Sequence, residues 1–226
     1  VKSMADFFSE YGLMLLTETG ATLAMALIST LIAYIVGIPL GVLVTITSDH
    51  SILPCRPVNM ILGWIVNMGR SIPFIILLVA LMPFTRMIVG SAVGIRGVIV
   101  PLSIAAIPFV ARMIETALAE IDGGLIEVAH ATGSTVWQII WKVLLPESIP
   151  SILMGVPITL ITLVGYSAMA GVVGGGGLGD VALRFGYYRY ETPVMIATII
   201  VLIILVQIMQ SLGSFIARKS DKRIRK

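Results

Sequence analysis

Five stretches of this chain are long and apolar enough to cross a bilayer, and nothing else in the sequence restricts its fold as strongly. A spanning helix needs about 20 mainly apolar residues. The stretches are residues 22–46, 58–84, 87–110, 149–173 and 193–216, and the first carries no charge. Charged residues make up 12% of the chain, against roughly 25% in a soluble domain, and the mean hydropathy is +1.03. The expected fold is an all-α bundle of five spans, with residues 1–226 forming one transmembrane domain. The first apolar run is too long and too poorly flanked for a signal peptide. No lipidation signal is visible, and the start at Val1 leaves room for an initiator or leader upstream. Cys55 is the only cysteine. That excludes an internal disulfide and a cysteine-only metal site, and it reads as an inert thiol near a span end.

Charge placement sets an expected orientation. Arg218, Lys219, Lys222, Arg223, Arg225 and Lys226 crowd the C-terminus against Asp221 alone. Excess Lys and Arg mark the cytoplasmic side, so the C-terminus is expected inside and, with five spans, the N-terminus outside. Asp6, Glu10 and Glu18 outnumber Lys2 there, in agreement. The loop at 120–146 and the loop around His50 and Arg56 then fall inside, and Gly174–Arg189 falls outside. Arg86 and Arg96, near an outside turn, count against this topology and are outweighed by the tail.

The inside loop carries the most specific pattern. Glu127-Val-Ala-His-Ala-Thr-Gly133 is followed, nine residues on, by Val143-Leu-Leu-Pro146. It reads as two short helices broken at Gly133, the first starting after Asp122-Gly-Gly. Glycine permits a positive backbone dihedral and a sharp turn there. Ser134 is expected to cap the second helix, whose Val136, Ile139, Ile140 and Val143 recur at helical spacing. Ala129 and Ala131 are small enough to let the first helix approach a partner closely. Such a segment suits a cytoplasmic docking site where a second protein pushes on the spans; the plainer reading is an amphipathic surface helix with no partner.

Glycine and proline are dense in the spans, and broken helices at membrane depth need protein or a cavity around them. Gly37-x-x-x-Gly41 fits the small-residue packing pattern. Arg70 is a lone charge deep in an apolar run, an expense of roughly 2.5–3.5 kcal/mol on insertion scales. It either snorkels to the cytoplasmic surface, with Pro73 setting a kink, or lines the inner mouth of a pathway or contacts a partner. Tyr166-Ser167-Ala168-Met169 places a polar pair and a polarizable thioether in the fourth span, where they either pack or line a pathway or gate; Thr159 and Thr162 are weaker candidates. Gly174-Gly-Gly-Gly-Leu-Gly179 lacks the Gly-Lys-Ser/Thr of a phosphate loop and is expected to be a flexible outer loop. His50 and His130 have no metal-ligand set around them, and His130 is expected to be solvated. No paired carboxylates or Ser/His/Asp arrangement points to an enzyme. The chain has no internal repeat of the kind that builds self-contained transporters.

The docking pattern resembles the signature loop of permease subunits from bacterial ATP-binding-cassette importers, with Val128 where that family usually has Ala. Arg70-Ser-Ile-Pro-Phe-Ile-Ile-Leu-Leu78, Pro83-Phe-Thr-Arg-Met-Ile-Val-Gly90, Lys142-Val-Leu-Leu-Pro-Glu147 and Ile158–Met169, with the glycine-rich run, further resemble the methionine importer permeases. The resemblance implies that Glu127, Ala129, Gly133, Leu145 and Pro146 form the coupling site for a separate ATPase. It implies Arg70, Tyr166, Ser167 and Met169 along the translocation pathway. It implies as partners two ATPase subunits, a second copy of this chain and a methionine-binding (lipo)protein, with ATP and Mg on the ATPase and no cofactor on this chain. The implied substrate is L- and D-methionine. The alternatives are a permease for another amino acid or small peptide, a proton- or sodium-driven carrier, and a non-transporting membrane scaffold. The carrier is disfavoured because the expected spans hold no Asp, Glu or His for a relay.

Overall fold

The computed structural model describes residues 4–49 and 51–220. The expectations resting on Val1, Lys2, His50 and the tail from Asp221 to Lys226 lie outside the described residues. Among the described residues there is no strand. Hydrocarbon offers backbone N–H and C=O groups no water, so a spanning segment bonds to itself as a helix. The described residues form nine α-helices in order: α1 Met4–Ile46, α2 Arg56–Ser71, α3 Phe74–Val89, α4 Gly94–Ala119, α5 Gly123–Ala131, α6 Val136–Ile139, α7 Leu145–Ala170, α8 Gly177–Val181 and α9 Thr192–Ser220. Wider π turns join α6 to α7 at Ile140–Leu144 and follow α8 at Ala182–Tyr187.

Four of these helices are long and apolar enough to cross a membrane, or five spans if α2 and α3 count as one broken span. The span expected at 58–84 is therefore two helices. Its break sits at Ile72 and Pro73, both extended (ψ 122° and 132°). Proline has no N–H to continue the ladder and pushes the residue before it out of the helical region. The next expected span, 87–110, starts late, because α3 runs on to Val89 and ends on Gly90 at φ 78°, whose N–H donates to the Arg86 carbonyl at 3.0 Å. Its far end extends to Ala119 and carries Arg112 and Glu115 inside the helix. The buried Thr198 hydroxyl donates within its own helix to the Val194 carbonyl at 2.8 Å, and that of half-buried Thr45 donates to the Gly41 carbonyl at 2.9 Å.

The chain divides into two compact units. One comprises the residues up to Leu31 with Pro73–Ile104 and Leu160–Gln210. Its core is Met25, Val98, Leu102, Leu163, Leu178 and Val194, all fully buried. Ser29 on α1 donates to the Ile99 carbonyl of α4 within it.

The other unit comprises Ile32–Ile72, Ala105–Thr159 and the described residues from Ser211 onward. Val66, Val110, Ala111, Ile114, Ile139 and Leu144 are buried there. Asn59 ties α2 to the end of α1, donating to the Val44 carbonyl at 2.7 Å. The Gly37/Gly41 pair lies where α1 crosses α4. A Cβ on Gly37 would stand 2.7 Å from Val110 Cγ1, and one on Gly41 would stand 2.6 Å from the Ala111 carbonyl oxygen. The small-residue pattern is thus a close helix contact.

Gly41→Ala is expected to destabilise the protein by about 1–3 kcal/mol, the usual range for overpacking, because the opposing atom is backbone and does not yield. Gly63→Ala on α2, where an added Cβ meets nothing within 4 Å, serves as the control. Thermal unfolding in detergent checks both: equal melting temperatures for the two variants would remove the packing role assigned to Gly41.

Candidate functional site

The segment expected to dock is a corner closed by local hydrogen bonds. Asp122 caps α5, its Oδ1 accepting the Gly124 N–H at 2.9 Å. At the other end Gly133 takes φ +75°. Its N–H donates to the His130 carbonyl at 2.9 Å and the Ser134 N–H to that of Ala129 at 3.1 Å. This pair of bonds is the Schellman closure, which needs a left-handed residue after the helix end. One residue later a capping box opens α6: Gln138 N–H donates to Thr135 Oγ1, and Thr135 N–H to Gln138 Oε1 at 2.9 Å. The cap is Thr135 and not Ser134. Ser134 is held by the Schellman bond, whereas Thr135 has the extended backbone (ψ 156°) and the Gln three residues on that the box requires.

The corner has an inner and an outer side. Ile139, Ile140 and Leu144 are buried, while Val136 and Val143 are half-buried. Ala129, expected to face a partner, is only 8% exposed; its small side chain lets α5 close on the chain's own π turn at Ile140–Leu144. The outward residues are Leu125, Glu127, Val128 and His130, with Val128 63% exposed. His130 is solvent-facing, as expected. Leu145 is half-buried and Pro146 exposed where α7 begins, and the Leu145 N–H donates back five residues to Ile140. Reading the sequence alone missed Trp137 and Trp141, both exposed and meeting edge to face at 5.8 Å. Two tryptophans four residues apart, flanking the apolar positions of the second helix, were the available signal. Amphipathic aromatic rings of this kind belong at a membrane–water interface.

Arg70 shares the second unit with this corner. It stands in the last turn of α2 and lines a cleft with residues of α4 and α7. Tyr166, Ser167 and Met169 belong to the first unit. Tyr166 stacks face to face on Phe74, with ring centroids 4.8 Å apart. Ser167 is buried, and its hydroxyl donates to its own helix at the Val164 carbonyl, 2.8 Å away. Met169 is exposed. In the second unit Thr159 is buried, donating to the Gly155 carbonyl at 3.0 Å.

The glycine-rich run is not a flexible loop. Gly175, Gly177, Leu178 and Gly179 are buried. The Gly177 N–H donates to Glu18 Oε2 at 2.6 Å and the Leu178 N–H to Thr22 Oγ1 at 2.9 Å. A Cβ on Gly179 would lie 2.3 Å from Ala168 Cα. These glycines permit close backbone approach, and α1 side chains satisfy the N–H groups the turn leaves open. Cys55, half-buried just before α2, makes no capping bond, and among the described residues no cluster of His, Cys, Asp and Glu could hold a metal.

Comparison with known proteins places this geometry. Residues 37–226 match the family described as binding-protein-dependent transport system inner membrane component. The chain is 52% identical over 221 residues to the probable D-methionine transport system permease protein MetI of Vibrio cholerae, covering 98% of each. It is 51% identical over 150 residues to the D-methionine transport system permease protein MetI of Escherichia coli, covering 66% of this chain and 69% of that one. A chain of the MetNI methionine ABC transporter, in an inward-facing conformation, superposes with a TM-score of 0.92 at 44% identity, covering 98% of this chain and all of that one. An amino acid ABC transporter solved with histidines shares the fold at a TM-score of 0.79 and 18% identity, covering 97% of this chain and 100% of that one.

Thr135→Ala removes the side-chain half of the capping box and is expected to weaken the corner by about 1 kcal/mol. Amide exchange at Gln138 should then quicken about fivefold, with Thr135→Ser restoring protection. Unchanged exchange in Thr135→Ala would show that the corner does not depend on this cap.

Proposed function

The chain belongs to the family of binding-protein-dependent transport system inner membrane components, and on that premise we propose that it is the membrane-spanning permease of an ATP-driven importer of L- and D-methionine. It is a multi-pass protein of the bacterial inner membrane. The orientation we assign puts the C-terminus and the Asp122–Pro146 corner in the cytoplasm and the N-terminus outside. Two copies assemble with two ATPase subunits, and ATP and Mg act on those subunits. An external methionine-binding protein, held near the membrane by lipid or diffusing freely, delivers the substrate.

The observation that carries this reading is the doubly closed corner at Gly133. A segment whose two short helices are locked by a Schellman closure and a capping box moves as one piece. Its outward residues, Leu125, Glu127 and Val128, offer an apolar patch with one carboxylate to a groove on the ATPase. When the ATPases close on ATP, their grooves carry the two corners together. The π turn at Ile140–Leu144 passes that displacement into α7 without an intervening loop. Tyr166 and Met169, farther along α7, line the pathway that opens outward, and hydrolysis returns it to the inward-facing state. The structure of MetNI in an inward-facing conformation supports the assignment of the mechanism's class.

Proteoliposomes holding this chain, its ATPase and its binding protein are expected to take up labelled L-methionine only with internal ATP, and unlabelled methionine should compete. ATP hydrolysis without methionine uptake would discard the substrate and keep the permease. Gly133→Val forces a β-branched residue into a left-handed backbone, a strain of roughly 1–2 kcal/mol, at a position where an added Cβ meets nothing within 4 Å. Uptake should fall more than tenfold while ATP hydrolysis persists, and Gly133→Asn, which tolerates that backbone, should keep most of the uptake. Normal uptake in Gly133→Val would sink the docking assignment.

A further inference from the structure

In the second unit, the end of α2, the last turns of α4 and the first turns of α7 enclose a cleft of about 340 Å³, within the range of roughly 300–1,000 Å³ for small-molecule sites. Its lining is unusual for an apolar bundle: Arg70, Arg112 and Glu120 stand in it beside Met113, Met154 and Phe109. Ionised residues in spanning helices face a bundle interior or a water-filled cavity and mark pathways for polar solutes. Arg112 lies within a helix of 26 residues apolar enough to cross the membrane.

The charges do not cancel internally. Arg112 is committed to Glu115, with both carboxylate oxygens 2.8 Å from Nη1. Glu120 accepts one hydrogen bond, from Ser151 Oγ at 2.9 Å, and forms no ion pair among the described residues. Arg70 has no ion-pair partner among the described residues. One cation and one anion are therefore left facing the same cleft, beside polarizable apolar side chains. That is the chemical complement of an α-amino acid zwitterion with an unbranched apolar side chain. A guanidinium fork takes a carboxylate, a carboxylate takes an ammonium, and methionine side chains adapt to a flexible thioether.

We infer that this cleft binds the transported amino acid on its way to the cytoplasm, its carboxylate on Arg70, its ammonium on Glu120 and its side chain against Met113, Met154 and Phe109. The inference rests on the permease reading above and adds a substrate contact to it. Glu120 precedes Asp122, the cap of the docking helix α5, by two residues. Occupancy of the cleft and position of the docking corner thus share the end of α4.

The test uses the complete transporter in proteoliposomes under turnover, with photo-methionine, a diazirine analogue, as the probe. After irradiation, mass spectrometry is expected to find label on residues 109–120 or 151–158 of this chain. L-methionine should suppress that label at least tenfold better than methioninol, which lacks the carboxylate. In Arg70→Gln that preference should collapse to within about twofold, and in Arg70→Lys it should be partly restored. Should Arg70→Gln fail to assemble, Glu120→Gln reads the other end: the preference for L-methionine over N-acetylmethionine should collapse in the same way. Label confined to other segments, or a preference unmoved in both variants, would overturn the site while leaving ATP-driven uptake and the permease reading intact. Absence of ATP-driven uptake in the unsubstituted transporter would overturn both.

Discussion

Every backbone N–H and C=O that this chain places in hydrocarbon has to find its partner within the protein, and the rest of the architecture answers to that requirement. It makes the spans helical, and it decides how they are interrupted. At Ile72–Pro73 the interrupting residue has no N–H to leave unpaired. Ser71 there donates back to the Asn67 carbonyl, covering part of the helix end. Beyond the end of α7, the N–H groups of Gly177 and Leu178 are taken by the carboxylate of Glu18 and the hydroxyl of Thr22. Breaks occur where a side chain or a missing donor makes them tolerable.

Local hydrogen bonding also sets the character of the corner proposed to dock, although it lies outside the expected spans. A loop emerging from a bundle could be flexible, and a flexible loop would absorb a partner's displacement. Here the open N–H and C=O groups at both helix ends are bonded locally, through Asp122, the Gly133 closure and the Thr135–Gln138 box. The π turn then continues directly into α7. Its Leu145 N–H bonds to Ile140, five residues back, a geometry often found at functional positions within helices. Rigidity at the corner and continuity into a spanning helix are what a coupling element needs, and both come from hydrogen bonds within some twenty residues of sequence.

Features set by local chemistry were legible in the sequence. The corner at Gly133 and the helix after Asp122 follow from spacing and capping residues, and the Gly37/Gly41 contact from a small-residue pattern. Features set by distant packing were not. Ala129 was expected outside because small residues suit a partner surface, but the phase of α5 is fixed by the turn it packs on. The run from Gly174 to Gly179 reads as flexible from composition. Its glycines instead allow contact with Ala168 and with α1, whose Glu18 lies far away in the chain. The third expected span ran only to Val110. The helix α4 continues to Ala119, with Arg112 and Glu115, three residues apart on one face, paired to each other inside it.

That last point bears on how a chain with few charges uses them. In an apolar bundle an ionised group is retained where a structural partner satisfies it or where a solute does. Arg112 and Glu115 belong to the first kind, bonded bidentately to each other; Glu18, bonded to the Gly177 N–H, belongs there too. Arg70 and Glu120 do not, because neither has an ion-pair partner among the described residues and both line one cleft. A site that must release its ligand should hold it by groups that are solvated again as it leaves. Arg70 and Glu120 are both exposed, so an amino acid leaving the proposed site would exchange their contacts for water at little loss. The contrast between the committed pair and the uncommitted one is what singles out the proposed site among the few charges of this chain.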